Sequence, residues 1–215
     1  MTTVPSSSRT RFAQAADVPA VVALVESAYR GDASRAGWTS EADLLDGQRT
    51  DAEMVAAAIA RRGVHVLLLE GADGGELLAC CELTAPGGQK DSAAAGTRGD
   101  EPDRGGAHPV PTVHLGMFAV QPGLQDHGIG RAVVDEAVRI SRDVWQAEVL
   151  ELCTIAQRTE LIAWYERRGF ARTGELRPFP YGEPRYGLPR RDDLVQVVMQ
   201  RRLAAAGTSD PAREP

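Results

Sequence analysis

The stretch FAVQPGLQDHGIGRAVVDEA, residues 118–137, decides the fold because it runs from an apolar strand through a turn into a helix. Gly128 and Gly130 stand where this helix is predicted to begin, at about residue 130. A helix start leaves backbone N–H groups unpartnered and carries the positive end of the helix dipole, so it holds anions well. Glycines keep that surface bare and permit positive φ angles. The turn therefore predicts a main-chain cradle for a pyrophosphate, with Arg131 adding charge at its rim.

Two common phosphate-binding patterns do not fit this turn. No Lys-Ser/Thr pair follows the glycines, which excludes a P-loop, and Val133 occupies the place of the third glycine in a dinucleotide-binding motif. The alternative is a tight strand-to-helix connection in which glycine serves packing alone. The turn by itself leaves both interpretations open.

Composition predicts one globular domain. The chain has 215 residues, of which 43% are hydrophobic and 25% charged, enough to bury a core. The net charge of -6 and the pI near 5.3 argue against nucleic acid or an acidic membrane as a partner. A small cationic or amine-bearing partner fits this charge better.

Cysteine and histidine usage points to a reduced compartment without a metal site. Cys80, Cys81 and Cys153 form no paired framework, and we find no signal peptide or membrane-spanning stretch. The histidines combine with these cysteines at no metal-ligand spacing. We therefore expect a cytoplasmic protein that binds no metal.

Hydrophobic spacing predicts alternating helices and strands. Asp17 is predicted to cap the first helix, and a strand-helix-strand unit over residues 113–155 predicts parallel pairing within a mixed sheet. Helices are predicted over residues 17–31, 51–62, 130–142 and 157–170. Strands are predicted over residues 64–71, 77–84, 112–120, 147–155 and 193–203.

The remaining segments are predicted to lie outside the core. Residues 1–8 and 204–215 are expected to be disordered tails around one domain over residues 9–203. Residues 86–111 are rich in Gly, Asp, Pro and Ala, so we expect a mobile loop. The Arg-Gly-Asp triplet inside this loop is interpreted as a chance occurrence.

Three segments together resemble a known family. Residues 118–134 closely resemble the acetyl-coenzyme A signature of the GNAT superfamily of N-acetyltransferases, in which Gln/Arg-x-x-Gly-x-Gly/Ala follows a strand and Val-x-Pro. LIAWYERRGF, residues 161–170, resembles the family's second motif, and residues 12–29 are similar to its first helix. The likeness covers residues 9–203 in the family's order. It implies an α/β fold with a mixed, mostly antiparallel sheet flanked by helices, in which two strands splay to form a slot for acetyl-CoA.

The resemblance also implies which residues hold acetyl-CoA, the acyl-donor co-substrate. The main chain of Phe118 and Val120 would bind the pantetheine arm like an extra strand, and the turn would bind the pyrophosphate. Arg158 stands where members often have Asn, so its contact is expected with phosphate or acceptor. The implied coenzyme-binding set is Phe118, Ala119, Val120, Gln125, Asp126, His127, Gly128, Ile129, Gly130, Arg131, Ala132 and Arg158.

Acetyl transfer needs a base for the amine and benefits from an acid for the departing thiolate. His114 is the leading base because it lies six residues before Val120, where the family frequently places Glu or His. A structural histidine is the alternative, with Glu82 or Glu151 acting directly or through water. By resemblance Tyr165 would protonate the sulfur, and its alternative is a core aromatic.

The acceptor is expected to be a small-molecule or amino acid-like amine, acetylated by direct transfer in a ternary complex. The loop over residues 177–194 and the acidic run over residues 41–46 are predicted to form opposite walls of its site. Candidate acceptor residues are Trp38, Glu82, Tyr181, Tyr186, Asp192 and Asp193. Acetylation of a protein Lys or N-terminus, and a non-catalytic acyl-CoA-binding module, remain alternatives. A homodimer stays open as the assembly.

Overall fold

The computed structural model describes residues 8–71, 75–89 and 109–204. The helices are α1 (Val18–Tyr29), α2 (Gly31–Ser34), α3 (Ala52–Ala60), α4 (Ile129–Arg139) and α5 (Thr159–Glu166). The strands are β1 (Arg9–Phe12), β2 (Leu45–Asp46), β3 (Val64–Glu70), β4 (Leu77–Thr84), β5 (Thr112–Val120), β6 (Val149–Ile155), β7 (Ala171–Pro178), β8 (Leu188–Pro189) and β9 (Val195–Arg202).

Seven of these strands form one sheet in the order β1-β3-β4-β5-β6-β9-β7. Neighbouring strands are antiparallel except β5 and β6, which pair in parallel across the connection that contains α4. The short strands β2 and β8 pair separately. This arrangement confirms the predicted mixed, mostly antiparallel sheet.

Helices cover both faces of the sheet, which explains the nearly continuous apolar runs in its central strands. Leu67 and Leu69 pack on the side of α4 and α5, whereas Val66 and Leu68 pack on the side of α1 and α3. Within the described residues, no helix is long and apolar enough to cross a membrane.

The centre of the sheet opens between β5 and β6, as the resemblance implied. The two strands pair only where residues 112–115 face residues 149–152. On its other side β5 carries a register shift against β4, opposite residues 80–82, and Met117 adopts a φ of 43° there. A bulge increases local twist and bends the strand, so the second half of β5 diverges from β6 and leaves a slot.

The starts of α3 and α1 differ in whether a side chain caps the helix. Asp51 caps α3 by accepting a hydrogen bond from the Met54 amide at 2.7 Å. Asp17 occupies the predicted N-cap position of α1 but makes no side-chain cap hydrogen bond there, because its carboxylate accepts the Gln14 amide at 2.7 Å and pairs with Arg11. That carboxylate therefore stabilises the turn before α1.

Four strands were absent from the prediction, namely β1, β2, β7 and β8, and several predicted segments lie outside the described residues. β1 has only four residues, and β7 is an edge strand whose side chains are mostly exposed, so neither shows a buried apolar pattern. Most of the predicted loop, at residues 90–108, and nearly all of both predicted tails, at residues 1–7 and 205–215, lie outside the described part. The domain limits stay a prediction.

Candidate active site

Two cavities meet at the slot between β5 and β6. The α4 cavity, of about 340 Å³, lies between the start of α4, the end of β5 and α5. The β6 cavity, of about 240 Å³, lies over β4, β5 and β6 and is closed by residues from the loops before α3 and after β7. Five residues line both cavities: Tyr29, Phe118, Arg158, Leu161 and Tyr165.

The start of α4 presents bare backbone to the α4 cavity. Gly128 precedes the helix with a φ of 80°, in the left-handed region that favours glycine. The amides of Ile129, Gly130 and Arg131 lie in the first turn, where the helix itself offers no acceptor. The turn can therefore donate several hydrogen bonds to an anion at the positive end of the helix dipole.

Gly130 serves a different need from Gly128. A Cβ atom on Gly130 would lie 3.2 Å from Cζ2 of Trp164 and 3.4 Å from Cζ of Phe118. The missing side chain lets α4 approach these two rings closely. Close packing therefore accounts for Gly130, whereas the pyrophosphate cradle stays a prediction.

The side chain of Gln125 binds protein rather than facing the first turn of α4. Its Oε1 accepts the amide of Trp38 at 3.0 Å, which ties the turn before α4 to the chain after α2. His127 donates from Nδ1 to the Gln125 carbonyl at 2.9 Å. Trp38, predicted for the acceptor wall, lines the α4 cavity instead.

Four arginines line the α4 cavity, of which Arg131 and Arg158 were among the predicted site residues. Arg167 and Arg168 follow α5 in the run ERRGF, which is the sequence signal that could have identified them. The guanidinium of Arg168 lies 3.5 Å from the ring centre of Trp164 and donates to its carbonyl. Burial and the nearby charges of Arg167 and Arg131 lower the pKa of Arg168. This concentration of positive charge suits a polyanion.

The β5 end of the slot is held by a tyrosine that was not predicted. The Tyr29 hydroxyl donates to the Phe118 carbonyl at 2.6 Å. Phe118, Ala119 and Val120 line the α4 cavity beside it. Tyr29 therefore positions the segment of β5 that was predicted to bind the pantetheine arm.

Tyr165 lies where the two cavities join. Its side chain is 4% exposed and packs edge-on against Trp164 and Phe170. Burial raises the pKa of the Tyr165 phenol, so the hydroxyl stays protonated at neutral pH. The residue is thus a core aromatic that keeps its hydroxyl hydrogen and lines both cavities.

His114 and Glu151 form a pair on the wall of the β6 cavity. The Nδ1 atom of His114 lies 3.1 Å from Oε1 of Glu151, which also accepts from Arg177 at 3.1 Å, and Gln200 donates to Oε2 at 2.7 Å. Burial would raise the pKa of Glu151, but these hydrogen bonds and the positive charges beside it lower it to about 2. At neutral pH Glu151 is therefore ionised and accepts the Nδ1 hydrogen, and in the neutral form of the ring Nε2 is then the acceptor.

The predicted acceptor residues divide between the cavity and the surface. Glu82 and Tyr186 line the β6 cavity, whereas Tyr181, Asp192 and Asp193 line neither cavity. The Tyr181 hydroxyl accepts the Leu194 amide at 2.7 Å, and its ring packs on Phe179. Asp193 pairs with Arg191. Tyr181 and Asp193 thus hold the loop in shape.

Arg158 is bound by protein groups at the junction. Its guanidinium donates to Glu41 at 2.9 Å and to Thr39 at 3.0 Å, and Glu41 also pairs with Arg30 at 3.0 Å. All three charged side chains of this triad are buried. Burial would raise the pKa of Glu41, yet the charges of Arg158, Arg49 and Arg30 lower it. Arg158 therefore joins the start of α5 to the segment after α2.

Solved structures share this fold at low sequence identity. One assigned provisionally as a phosphinothricin N-acetyltransferase has a TM-score of 0.61 and 18% identity, covering 92% of this chain and 99% of that chain. YncA from Salmonella typhimurium, whose structure contains acetyl-CoA, has a TM-score of 0.57 and 19% identity over 96% and 99% of the two chains. A ribosomal-protein-alanine N-acetyltransferase from Brucella melitensis has a TM-score of 0.57 and 21% identity over 91% and 99%.

The family follows from the sequence match rather than from these structures, whose low identity shows the fold alone. No curated protein sequence matches the chain significantly. Residues 27–170 match the acetyltransferase (GNAT) family, and this span is more than half of the chain. The chain therefore belongs to the GNAT acetyltransferase family and is an N-acetyltransferase that depends on acetyl-CoA.

Proposed function

We propose that this enzyme acetylates the amine of a small-molecule or amino acid-like acceptor by direct transfer within a ternary complex. The supporting observation is the pair of cavities that meet at Tyr165 and Phe118. One cavity has the features of an anion site at a helix start, and the other contains a base paired with a carboxylate. Two substrates bound from opposite sides would meet at the slot, where orientation alone supplies a large part of the rate.

The α4 cavity fits acetyl-CoA, which supplies an acyl group activated as a thioester. The first-turn amides of α4, left bare by Gly128, would hold the diphosphate together with Arg131, Arg167 and Arg168. The edge of β5 beyond Leu115, which β6 does not pair, would bind the pantetheine arm by strand addition. Arg158 contributes through its contacts with Glu41 and Thr39 rather than as a free phosphate ligand.

His114 is the base in this proposal. Glu151 fixes the ring through Nδ1, and Nε2 receives the proton that an ammonium group must lose before its nitrogen attacks. With its pKa lowered to about 2, Glu151 is a poor proton acceptor at neutral pH, so its role is to orient the ring and to stabilise the imidazolium that forms. Glu82 lines the same cavity and is the alternative base through a bridging water.

Tyr165 completes the transfer as the acid. Its buried, protonated hydroxyl lies at the junction of the cavities, where the sulfur would leave. Donation of a hydrogen bond or a proton to the thiolate stabilises the charge that develops there.

Thiol release and calorimetry test the proposal together. We expect saturable binding of acetyl-CoA to the folded protein, and release of free CoA thiol that depends on a small amine from a broad acceptor panel. Intersecting lines in double-reciprocal plots of the initial rate against the concentration of each substrate would support a ternary complex. Parallel lines would indicate a covalent acetyl-enzyme. Tight coenzyme binding without turnover on any amine would favour a non-catalytic module, and turnover on peptides alone would favour a protein acetyltransferase.

Replacing Tyr165 by Phe is expected to lower kcat by about 100-fold, because the acid is lost while the aromatic packing remains. The Kd of acetyl-CoA should change little, since the phenyl ring keeps its contacts with Phe118 and Trp164. Steady-state kinetics and calorimetry on the same preparation separate the two effects. Tyr181→Phe, which alters a tyrosine outside both cavities, is the matched control. Loss of coenzyme affinity with unchanged kcat would assign Tyr165 a packing role only.

A further inference from the structure

Arg49 is a cation on the wall of the β6 cavity that the proposed mechanism does not use. Its guanidinium carbon lies 5.2 Å from the ring centre of Tyr29, a cation–π distance. The backbone beside it is fixed, since the amides of Arg49 and Thr50 donate to the Glu26 carboxylate at 2.6 and 2.7 Å. Arg49 lines the β6 cavity but not the α4 cavity, so it faces the acceptor side of the slot.

The other arginines of the β6 cavity are neutralised by carboxylates. Arg158 pairs with Glu41 at 2.9 Å, and Arg177 pairs with Glu151 at 3.1 Å. Arg49, in contrast, has no ion pair or hydrogen bond from its guanidinium within residues 8–71, 75–89 and 109–204. The charge of Arg49 helps to lower the pKa of Glu41. Both carboxylate oxygens of Glu41 are already paired, however, one with Arg158 and the other with Arg30. Among the described residues, this half-buried cation thus has no carboxylate bonded to it.

We propose that the acceptor carries a carboxylate near its amine and that Arg49 binds this carboxylate, which makes an α-amino acid the acceptor class. The inference rests on the proposed function, because it assigns the contents of the same cavity. A guanidinium presents its donors in a planar fork that matches a carboxylate, and stacking on Tyr29 restricts that fork before the ligand arrives.

The dimensions of the site favour the same class. The β6 cavity of about 240 Å³ is smaller than the roughly 300–1,000 Å³ pockets that hold drug-sized ligands. His114 lines this cavity from β5, Tyr29 from the end of α1 and Arg49 from the loop before α3. In the proposed complex a compact acceptor places its amine at His114 and its carboxylate at Arg49. A polyamine or a peptide N-terminus has no carboxylate beside its reacting amine, so it would leave Arg49 unpaired.

The test compares each α-amino acid with its carboxamide and with the amine that lacks the carboxyl group. In the wild-type enzyme we expect kcat/KM for the best amino acid to exceed that for its amide by about 10- to 100-fold, the usual value of a charge-assisted pair. In Arg49→Met this acid-over-amide ratio should fall towards one, and Arg49→Lys should restore part of it. The Kd of acetyl-CoA should not change, because Arg49 does not line the α4 cavity.

Arg172→Met, which removes an exposed arginine outside both cavities, is the matched control and should keep the wild-type ratio. A wild-type enzyme that acetylates amides or decarboxylated amines as well as the acids would overturn the inference while leaving the proposed function intact. An unchanged acid-over-amide ratio in Arg49→Met would do the same. If calorimetry detected no binding of acetyl-CoA to the folded protein, the proposed function would be overturned, and the inference with it.

Discussion

Replacing His114 by Gln is expected to lower kcat/KM by about 10²- to 10⁴-fold, because the variant has no side-chain base for the ammonium proton. Glutamine can still donate to Glu151, and Arg177 and Gln200 continue to hold that carboxylate, so the fold should be retained. Binding of acetyl-CoA should persist because His114 does not line the α4 cavity. The measurement is kcat/KM for the best acceptor from about pH 6 to about pH 9.

His65 supplies the matched control for this prediction. It lies on β3 against the rings of Phe12 and Trp145 and lines neither cavity, so His65→Gln should keep the wild-type activity. Glu82→Gln tests the alternative base. If His114→Gln retained wild-type kcat/KM across the pH range and Glu82→Gln lost it, the base would be Glu82 through water.

Replacing Glu41 by Gln is expected to destabilise the protein by about 3–5 kcal/mol, the usual cost of removing one partner from a buried ion pair. The side chain of Glu41 is 9% exposed and lies between Arg30 and Arg158, so the variant leaves two buried positive charges facing each other. Urea unfolding at neutral pH measures the change in the free energy of unfolding. Because Arg158 lines both cavities, the loss of its ion pair should also make the side chains of the site less well fixed.

The effect of Glu41 has a defined pH dependence. Its pKa is lowered in the folded protein from an ordinary value of 4.5, so the unfolded chain binds the proton more readily. The stabilisation is fully present above that ordinary value and is lost as the pH falls towards the folded pKa. The wild-type advantage over Glu41→Gln should therefore shrink in acid. Glu53→Gln, which alters an exposed carboxylate, is the control and should be close to neutral. Equal stability of Glu41→Gln and wild type at pH 7 would contradict the prediction.

Local sequence is enough to predict the strand-turn-helix at residues 118–137. The apolar spacing, Pro122 and the glycines lie within a few residues of one another, so their pattern can be recognised without knowledge of the tertiary structure. The same holds for β3 and β4, which lie at the predicted positions. Edge strand β7 could not be predicted this way, because pairing with β9 defines it while its exposed side chains carry no apolar alternation.

Part of the candidate site was predictable for the same reason. His114 and Tyr165 lie at motif positions along β5 and α5, and the structure places both on the walls of the joined cavities. Their chemical roles stay predictions. Tyr181 and Asp192 were selected only for their residue type in a loop, and they line neither cavity. Residue type does not say which side of a loop reaches a site.

By itself the sequence determined the family, the mixed sheet and the glycine turn that begins α4, since each depends on residues close together in the chain. Only the tertiary structure decided which charged groups are already satisfied. Glu41 lies 117 residues before Arg158, and folding brings them to 2.9 Å. Arg49 enters the proposal in the same way, because within the part of the chain that the structure describes, folding places no carboxylate in an ion pair with its guanidinium. Charge pairing between distant segments depends on the packed geometry, and no local pattern specifies it.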